Sequence, residues 1–356
     1  MPAPLLIRPG ARYECHGDGT CCTTIHLLGP VSRAEAQSVR IAAGIVYPSR
    51  NRPAIEWHDG IKGLVIAPDG GRCMFLDGNA RCRLHARLGE HEKPAVCRHF
   101  PLGSTATDAG VRVTLSHRCP CVSIGESELL DEKRARAVLA SPGSGRIVPS
   151  NRAEGLVPWR ARRTVDIDTY QAWEKGWLDK LDCADGPPLE SLLKLPRGDR
   201  LPRLEATTWK EVGRRLAKWA ADEDENDGFF CTIRWVERAL AGDTNGALPR
   251  RPWSWTFDRT ARRAGQTTPM RKIYGSWLAD DLWSMTWAIG GTLYRAMADW
   301  GARYTIAKRI AARLERIGIR PDLAAAEAIM MVDVLGAADP WAWARRRLVE
   351  APLGTF

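Results

Sequence analysis

Eight of the ten cysteines lie between Cys15 and Cys121, and all seven histidines lie between His16 and His117. The thiols fall in four short segments. The first is Tyr13-Glu-Cys15-His-Gly-Asp-Gly-Thr-Cys21-Cys22. The second is Cys73-Met-Phe-Leu-Asp77, continuing to Arg81-Cys82-Arg-Leu-His85. The third is Glu92-Lys-Pro94-Ala-Val-Cys97-Arg98-His-Phe100-Pro101, and the fourth is Ser116-His117-Arg118-Cys119-Pro-Cys121. Thiolate sulfur is a soft ligand that suits zinc or iron–sulfur clusters, and four ligands close a tetrahedral shell. Gly17, Gly19, Gly78 and Pro120 surround the thiols. Such residues let a backbone turn tightly and aim amides at a negatively charged cluster. Eight thiols complete one site with spares, or two sites. Cys183 and Cys231 stand alone and read as small apolar side chains.

Other chemistries fit these spacings less well. A disulfide framework is disfavoured by the vicinal pair Cys21-Cys22 and by the first ten residues, whose apolar stretch is too short for a secretory leader. Five residues separate Cys15 from Cys21, which is not a zinc-finger spacing, and the chain has no CxxC. Cys97 and His99 are too close in sequence to form a nucleophile–base pair. His85, His99 and His117 stand beside cysteines and read either as metal ligands or as hydrogen-bond donors to thiolates. Arg98 and Arg118 each adjoin a cysteine. They read as cofactor-binding candidates able to grip a carboxylate, with an ion pair to Glu90 or Asp77 as the alternative. Gly143-Ser-Gly145 has no strand before it, so a dinucleotide-type glycine loop is not expected. No catalytic residue is singled out.

The elements around these residues divide in two. Fourteen of fifteen tryptophans come after residue 150, opposite to the cysteines. We therefore expect an α+β chain. Residues 1–140 form a cysteine-rich metal-binding module with short strands, and residues 152–356 form a mainly α-helical, Trp-rich domain. In the first part, Ser32 and Glu35 form a capping box before a helix over 33–43. Segments 63–67 and 72–76 read as a hairpin, 111–115 as a strand and 126–140 as a helix. Residues 141–151 read as a linker. Helices are expected over 170–181, 209–222, 229–241, 275–300, 304–317 and 321–336. Trp277, Trp283, Trp287 and Trp300 read as a core stripe. Residues 242–269 read as a long polar loop offering Trp253 and Trp255 to a partner.

Composition sets further limits. With 44% hydrophobic and 26% charged residues, the chain can bury a sizeable core. Net charge is +10, but the basic residues are scattered, so nucleic acid is not the expected partner. The longest apolar run, 282–294, is well short of the ~20 residues that span a bilayer. No membrane association is expected, and a reducing cytoplasmic location is.

At its cysteine segments the chain resembles the cysteine-cluster (CxxCxxCC) family of zinc- or iron-chelating proteins, most closely the flagellin lysine N-methylase branch. The matching pieces are Cys15 through Cys21-Cys22; Cys73-Met-Phe-Leu-Asp77 with Cys82-Arg-Leu-His85-Ala-Arg-Leu-Gly89-Glu90; Pro94-Ala-Val-Cys97-Arg98-His-Phe100-Pro101; and Leu115-Ser-His-Arg-Cys119-Pro120. Together they cover about a third of the chain. The family's CxxCxxCC is incomplete here, because no cysteine stands between Cys15 and Cys21. The resemblance implies a bound metal, with a [4Fe–4S] cluster in the methylase branch and Zn2+ as the alternative. It implies S-adenosylmethionine as methyl donor and lysines of a flagellin-like protein as acceptor. Cys15, Cys21, Cys22, Cys73, Cys82, Cys97 and Cys119 carry over as ligand candidates. Cys121 is an eighth thiol outside the match and is counted with them. A non-catalytic metal-binding or metal-handling protein is the alternative. The C-terminal half carries no matching motif.

Overall fold

The computed structural model describes residues 3–17, 19–26, 28–49, 52–59, 62–124, 127–140, 146–160, 162–183, 185–193, 206–241, 247–265, 267–336, 338 and 341–345. In the N-terminal part the elements are β1 (Leu5–Leu6), α1 (Arg33–Val46), β2 (Ile55–His58), β3 (Gly63–Ile66), α2 (Arg83–Leu88), α3 (Ala95–His99), β4 (Leu102–Thr107), β5 (Gly110–Leu115), α4 (Pro120–Ser123), α5 (Glu132–Leu139) and β6 (Asn151–Arg152). Then come β7 (Val157–Arg160), β8 (Arg163–Val165), α6 (Ile167–Asp182), α7 (Leu189–Leu192), α8 (Ala206–Ala220), α9 (Gly228–Ala241), α10 (Ser254–Ala264), α11 (Met270–Ser284), α12 (Leu293–Arg316) and α13 (Pro321–Gly336). The fold is mixed α+β, with small sheets and a helical C-terminal region. Among the described residues no helix is long and apolar enough to cross a membrane.

The main sheet has the order β1-β5-β4-β6. β4 and β5 form an antiparallel hairpin from Leu102↔Leu115 to Thr107↔Gly110. β1 joins β5 in parallel, and β6 joins the other edge. Leu102, Val113 and Leu115 pack with Leu130, Ala135 and Leu139 in one apolar cluster. Arg112 goes instead to the helical half, where it meets Glu174 on α6. Asn151, expected to end the linker, and Arg152, expected to open the helical domain, thus complete the first sheet. Residues 141–145 of that segment lie outside the described residues.

α1 begins as its capping box requires. Ser32 Oγ accepts from the Glu35 amide at 3.2 Å, and Glu35 Oε2 accepts from the Ser32 amide at 2.9 Å. Two expectations for this part need correction. β3 pairs with β2, not with 72–76. Gly70 and Gly71 both have positive φ, and the turn they make leaves only an isolated Pro68↔Cys73 bridge. The helix expected over 126–140 is α5, started by Asp131 accepting from the Arg134 amide. Residues 128–130 are drawn into extended pairing with 11–13.

In the helical half α13 is apolar nearly all round and buried, as a helix at the centre of a bundle is. Its Ala324, Ala325, Ala326 and Ala328 are buried, and their small side chains let neighbouring helices approach. The helix expected over 275–300 is two helices. Met285 takes a left-handed conformation, Gly290-Gly291 follow, and Thr292 caps α12 by accepting from the Arg295 amide. α12 then runs on through the separate helix expected at 304–317. Trp277 and Trp300 are buried, while Trp283 and Trp287 are half-buried against the same core. The expected 242–269 loop contains α10. Trp253 is fully buried and donates to Glu327 at 2.7 Å, so it is no partner surface. Phe257 and Thr260 continue its buried stripe, which the polar residues between them hide from a sequence reading. Trp255 packs on the cysteine-bearing half.

Candidate functional site

The first two cysteine segments meet through backbone contacts. Cys21 and Cys22 sit in a single helical turn, Thr20–Cys22, entered through Gly19 at φ +80°. A Cβ on Gly19 would lie 2.9 Å from the Leu76 side chain, so only glycine lets this turn lie on the 73–82 segment. The Cys73 amide donates to Cys22 O at 2.7 Å, and Leu76 bridges to Cys82. Asp77 accepts from the Asn79 and Arg81 amides and shapes the tight loop before Cys82. Cys97 arrives on α3, whose first amide, Ala95 N, donates to Glu35 Oε1 at 2.7 Å. The α1 capping residue therefore also moors the third cysteine segment. Burial pushes the Glu35 carboxyl up, but the hydrogen bonds from Ala95 and Ser32 win and hold it below its usual range. Glu35→Ala is expected to destabilise the protein by about 2 kcal/mol, against about 1 kcal/mol for Ser32→Ala, which loses one cap only. Urea unfolding checks this, and equal costs would show that the Ala95 bond contributes nothing.

These contacts gather Cys22, Cys73, Cys82 and Cys97 into one cluster with Phe75, Leu84 and Ile66. Cys21 Sγ lies 4.0 Å from Cys22 Sγ. Burial and the neighbouring Cys21 and Cys82 push the Cys97 thiol up to about 12. Burial likewise raises Cys73, whose neighbours are Cys97, Cys82 and Cys21. Cys15, Cys119 and Cys121 gather around Tyr13, whose phenol burial and these thiols push well up. The His16 amide donates to Cys121 Sγ and the Gly17 amide to Cys15 Sγ, both at 3.4 Å. Cys21 is felt by both groups, so the two adjoin. Cys73, Cys119 and Cys121 are buried, while Cys15 and Cys21 are exposed. Among the described residues no three His, Cys, Asp or Glu side chains converge closely enough to hold a metal ion. Cys183, at the end of α6, and Cys231, on α9, lie outside both groups.

The histidines divide. His85 is exposed on α2. His99 is half-buried, and its Nε2 has no hydrogen-bond partner. His16 Nδ1 and both ring nitrogens of His26 are also buried and unpartnered. Burial, reinforced by Arg118, pushes His26 down to about 3. Its ring lies 5.2 Å from Phe100 of the third cysteine segment. Sequence reasoning passed over His26, and its position four residues after Cys22 was the only signal. His117 Nδ1 is 2.8 Å from Ser123 Oγ, and its Nε2 is 3.0 Å from Asp280 Oδ2. This resembles a nucleophile–base–acid chain, but all three residues are buried and Asp280 is paired with Arg8. The arrangement ties α4 to α11.

The two arginines differ. Arg98 donates to the His91 and Lys93 carbonyls and braces the turn before α3. Arg118 donates from Nε to Ser116 Oγ at 3.1 Å and lines a cavity of about 660 Å³. The opposite walls come from Trp287, Thr292, Arg295, Trp300 and Arg345 of the helical half. Three aspartates also reach this cavity: Asp281, Asp299 and Asp333. Arg303 holds all three, at 2.7, 3.0 and 2.7 Å respectively. The cavity was not foreseen, because its walls come from residues far apart in sequence. No family model matches the chain, and neither a curated protein nor a solved structure matches it.

Proposed function

We propose that residues 13–122 form a thiolate-ligated iron–sulfur centre serving methyl transfer from S-adenosylmethionine to lysine on a protein partner, flagellin-like in the reading the cysteine segments support. The observation that carries the metal reading is the gathering of Cys21, Cys22, Cys73, Cys82 and Cys97, from three separate segments, into one neighbourhood. The ligand types support the reading. The thiols are soft, and amides of His16 and Gly17 already point at sulfur. The unpartnered nitrogens of His16, His26 and His99 mark places where polar contacts are still to be made.

When bound, the cluster supplies an electron-rich metal centre and S-adenosylmethionine an activated methyl group. The chain's own residues gather the sulfurs, hydrogen-bond them and keep water from most of them. The cavity beside Arg118 has the volume of a small-molecule site. Cys15 and Cys21 are exposed, which favours a second reading, a metal-handling protein that exchanges its ion with solvent.

Anaerobically purified protein is expected to contain iron with matching acid-labile sulfide. Cys73→Ser and Cys97→Ser should lose most of it, and Cys183→Ser should keep it. Metal retention should fall as pH is lowered, because ligation requires the thiols to lose protons. Stoichiometric zinc without sulfide would falsify the iron–sulfur reading and favour the metal-handling one. An iron-loaded protein that transfers no methyl group from labelled donor to lysine in flagellin would sink the activity.

A further inference from the structure

The segment carrying Ser116 and Arg118 faces the first turn of α12 across the cavity. Arg118 is half-buried, with its guanidinium 5.9 Å from the Phe100 ring centroid. Burial pushes its pKa down, and Asp333 offsets only part of that. Its Nε is occupied by Ser116, and no described carboxylate forms an ion pair with it. Arg295, on α12 across the cavity, is a second cation, with a buried Nε that has no hydrogen-bond partner. Between them lies Gly290-Gly291-Thr292, which leads into a 24-residue helix. The Thr292 side chain accepts from the Arg295 amide and fixes the start of that helix at the cavity wall. Arg303 ion-pairs with all three aspartates and takes up part of their charge. The indoles of Trp277 and Trp341 add hydrogen bonds to Asp333 and Asp299. Four arginines face three aspartates, so the lining is net positive. A half-buried guanidinium without a carboxylate ion pair, facing a cavity that a second arginine also lines, is an oxyanion site. Trp287 and Trp300 supply flat apolar walls.

We infer that this cavity binds a small molecule bearing an oxyanion, carboxylate or phosphate, held by Arg118 and Arg295 at the start of α12, with a flat ring against the tryptophans. The site does not need the metal. It rests on the methyl-transfer reading only if the carboxylate ligand is the one that binds.

The test uses two probes with the same nucleoside. S-adenosylhomocysteine carries a carboxylate, and adenosine 5′-monophosphate carries a phosphate. Titration calorimetry on the full chain should show saturable binding of one or both. Arg118→Gln and Arg295→Gln should each weaken it by about tenfold or more, with melting temperatures near that of the parent. Arg345→Gln, at the exposed rim, gives a third variant should either of the others fail to fold. The probe that binds identifies the oxyanion. Failure of both probes to bind the parent, or equal binding by parent and variants, overturns the inference. Iron and sulfide are measured on the same samples. Binding by iron-free protein leaves the oxyanion site standing while the metal reading falls, and the reverse outcome separates them in the other direction.

Discussion

Arg303→Met is expected to destabilise the protein by about 3–5 kcal/mol or more near neutral pH. Arg303 is the common partner of Asp281, Asp299 and Asp333, and it also lies over the Trp277 ring. Methionine fills much of the same space but leaves three carboxylates without a counter-charge. The direction with pH follows from Asp281. Burial pushes its carboxyl up to about 6 even with Arg303 opposing, and Asp333 adds to the rise. An acid whose folded pKa lies above its unfolded value of about 4 holds its proton longer when folded. Its contribution is favourable at low pH and is lost as pH rises through that window. Without Arg303 this behaviour strengthens and extends to its neighbours. The stability gap between parent and variant should therefore widen from about pH 5 to about pH 8. Urea unfolding at both values measures it. A gap that stays constant would mean that the aspartates are not the source of the loss.

Arg112→Met is the second large effect, expected at about 3–5 kcal/mol. Arg112 is fully buried on β5 and makes a two-point contact with Glu174 Oε1 and Oε2 at 2.7 and 3.0 Å. It also donates to Trp283 O and lies 4.3 Å over that ring. Burial pushes Glu174 up, and Arg112 and the Tyr170 hydroxyl pull against it. Removing the arginine strands the carboxylate between the sheet and α6. The double variant Arg112→Met/Glu174→Gln removes both charges and should recover at least half of the loss, since a buried pair often contributes little over neutral packing. If the double variant is as unstable as the single one, the cost lies in lost packing and not in the stranded charge.

Local signals account for what was legible in the sequence. The capping box of α1, the strand at 111–115 and most helices of the C-terminal half follow from neighbouring residues and short-range periodicity. So does α13, whose expected limits match the structure. The thiol neighbourhood was legible as composition, eight cysteines in one stretch. Its division around Tyr13 and around Phe75 was not, since that depends on which turns dock together. The errors share one cause. Segments 72–76, 126–130 and 242–269 were read from local propensity, and tertiary contacts decided them. Cys73 bonds across to Cys22, residues 128–130 pair with 11–13, and Trp253 reaches Glu327. The cavity's arginines looked like scattered surface charge because nothing in the sequence tells which basic residues face each other.

The order of synthesis gives the Arg8 contact a kinetic meaning. Arg8 is made 272 residues ahead of its partner Asp280. At about 5–20 residues per second, translation separates the two by roughly 15–55 s. Asp182, which also binds Arg8, comes 174 residues after it. All eight clustered thiols leave the ribosome's catalytic centre before Asp280 exists. During that interval Glu174 and Asp182 are made first, so Arg112 and one side of Arg8 have their carboxylates about a hundred residues before Asp280 completes the contact. Cys121, on α4, waits in the same way for α10, α11 and α13, the later-made helices that pack against it.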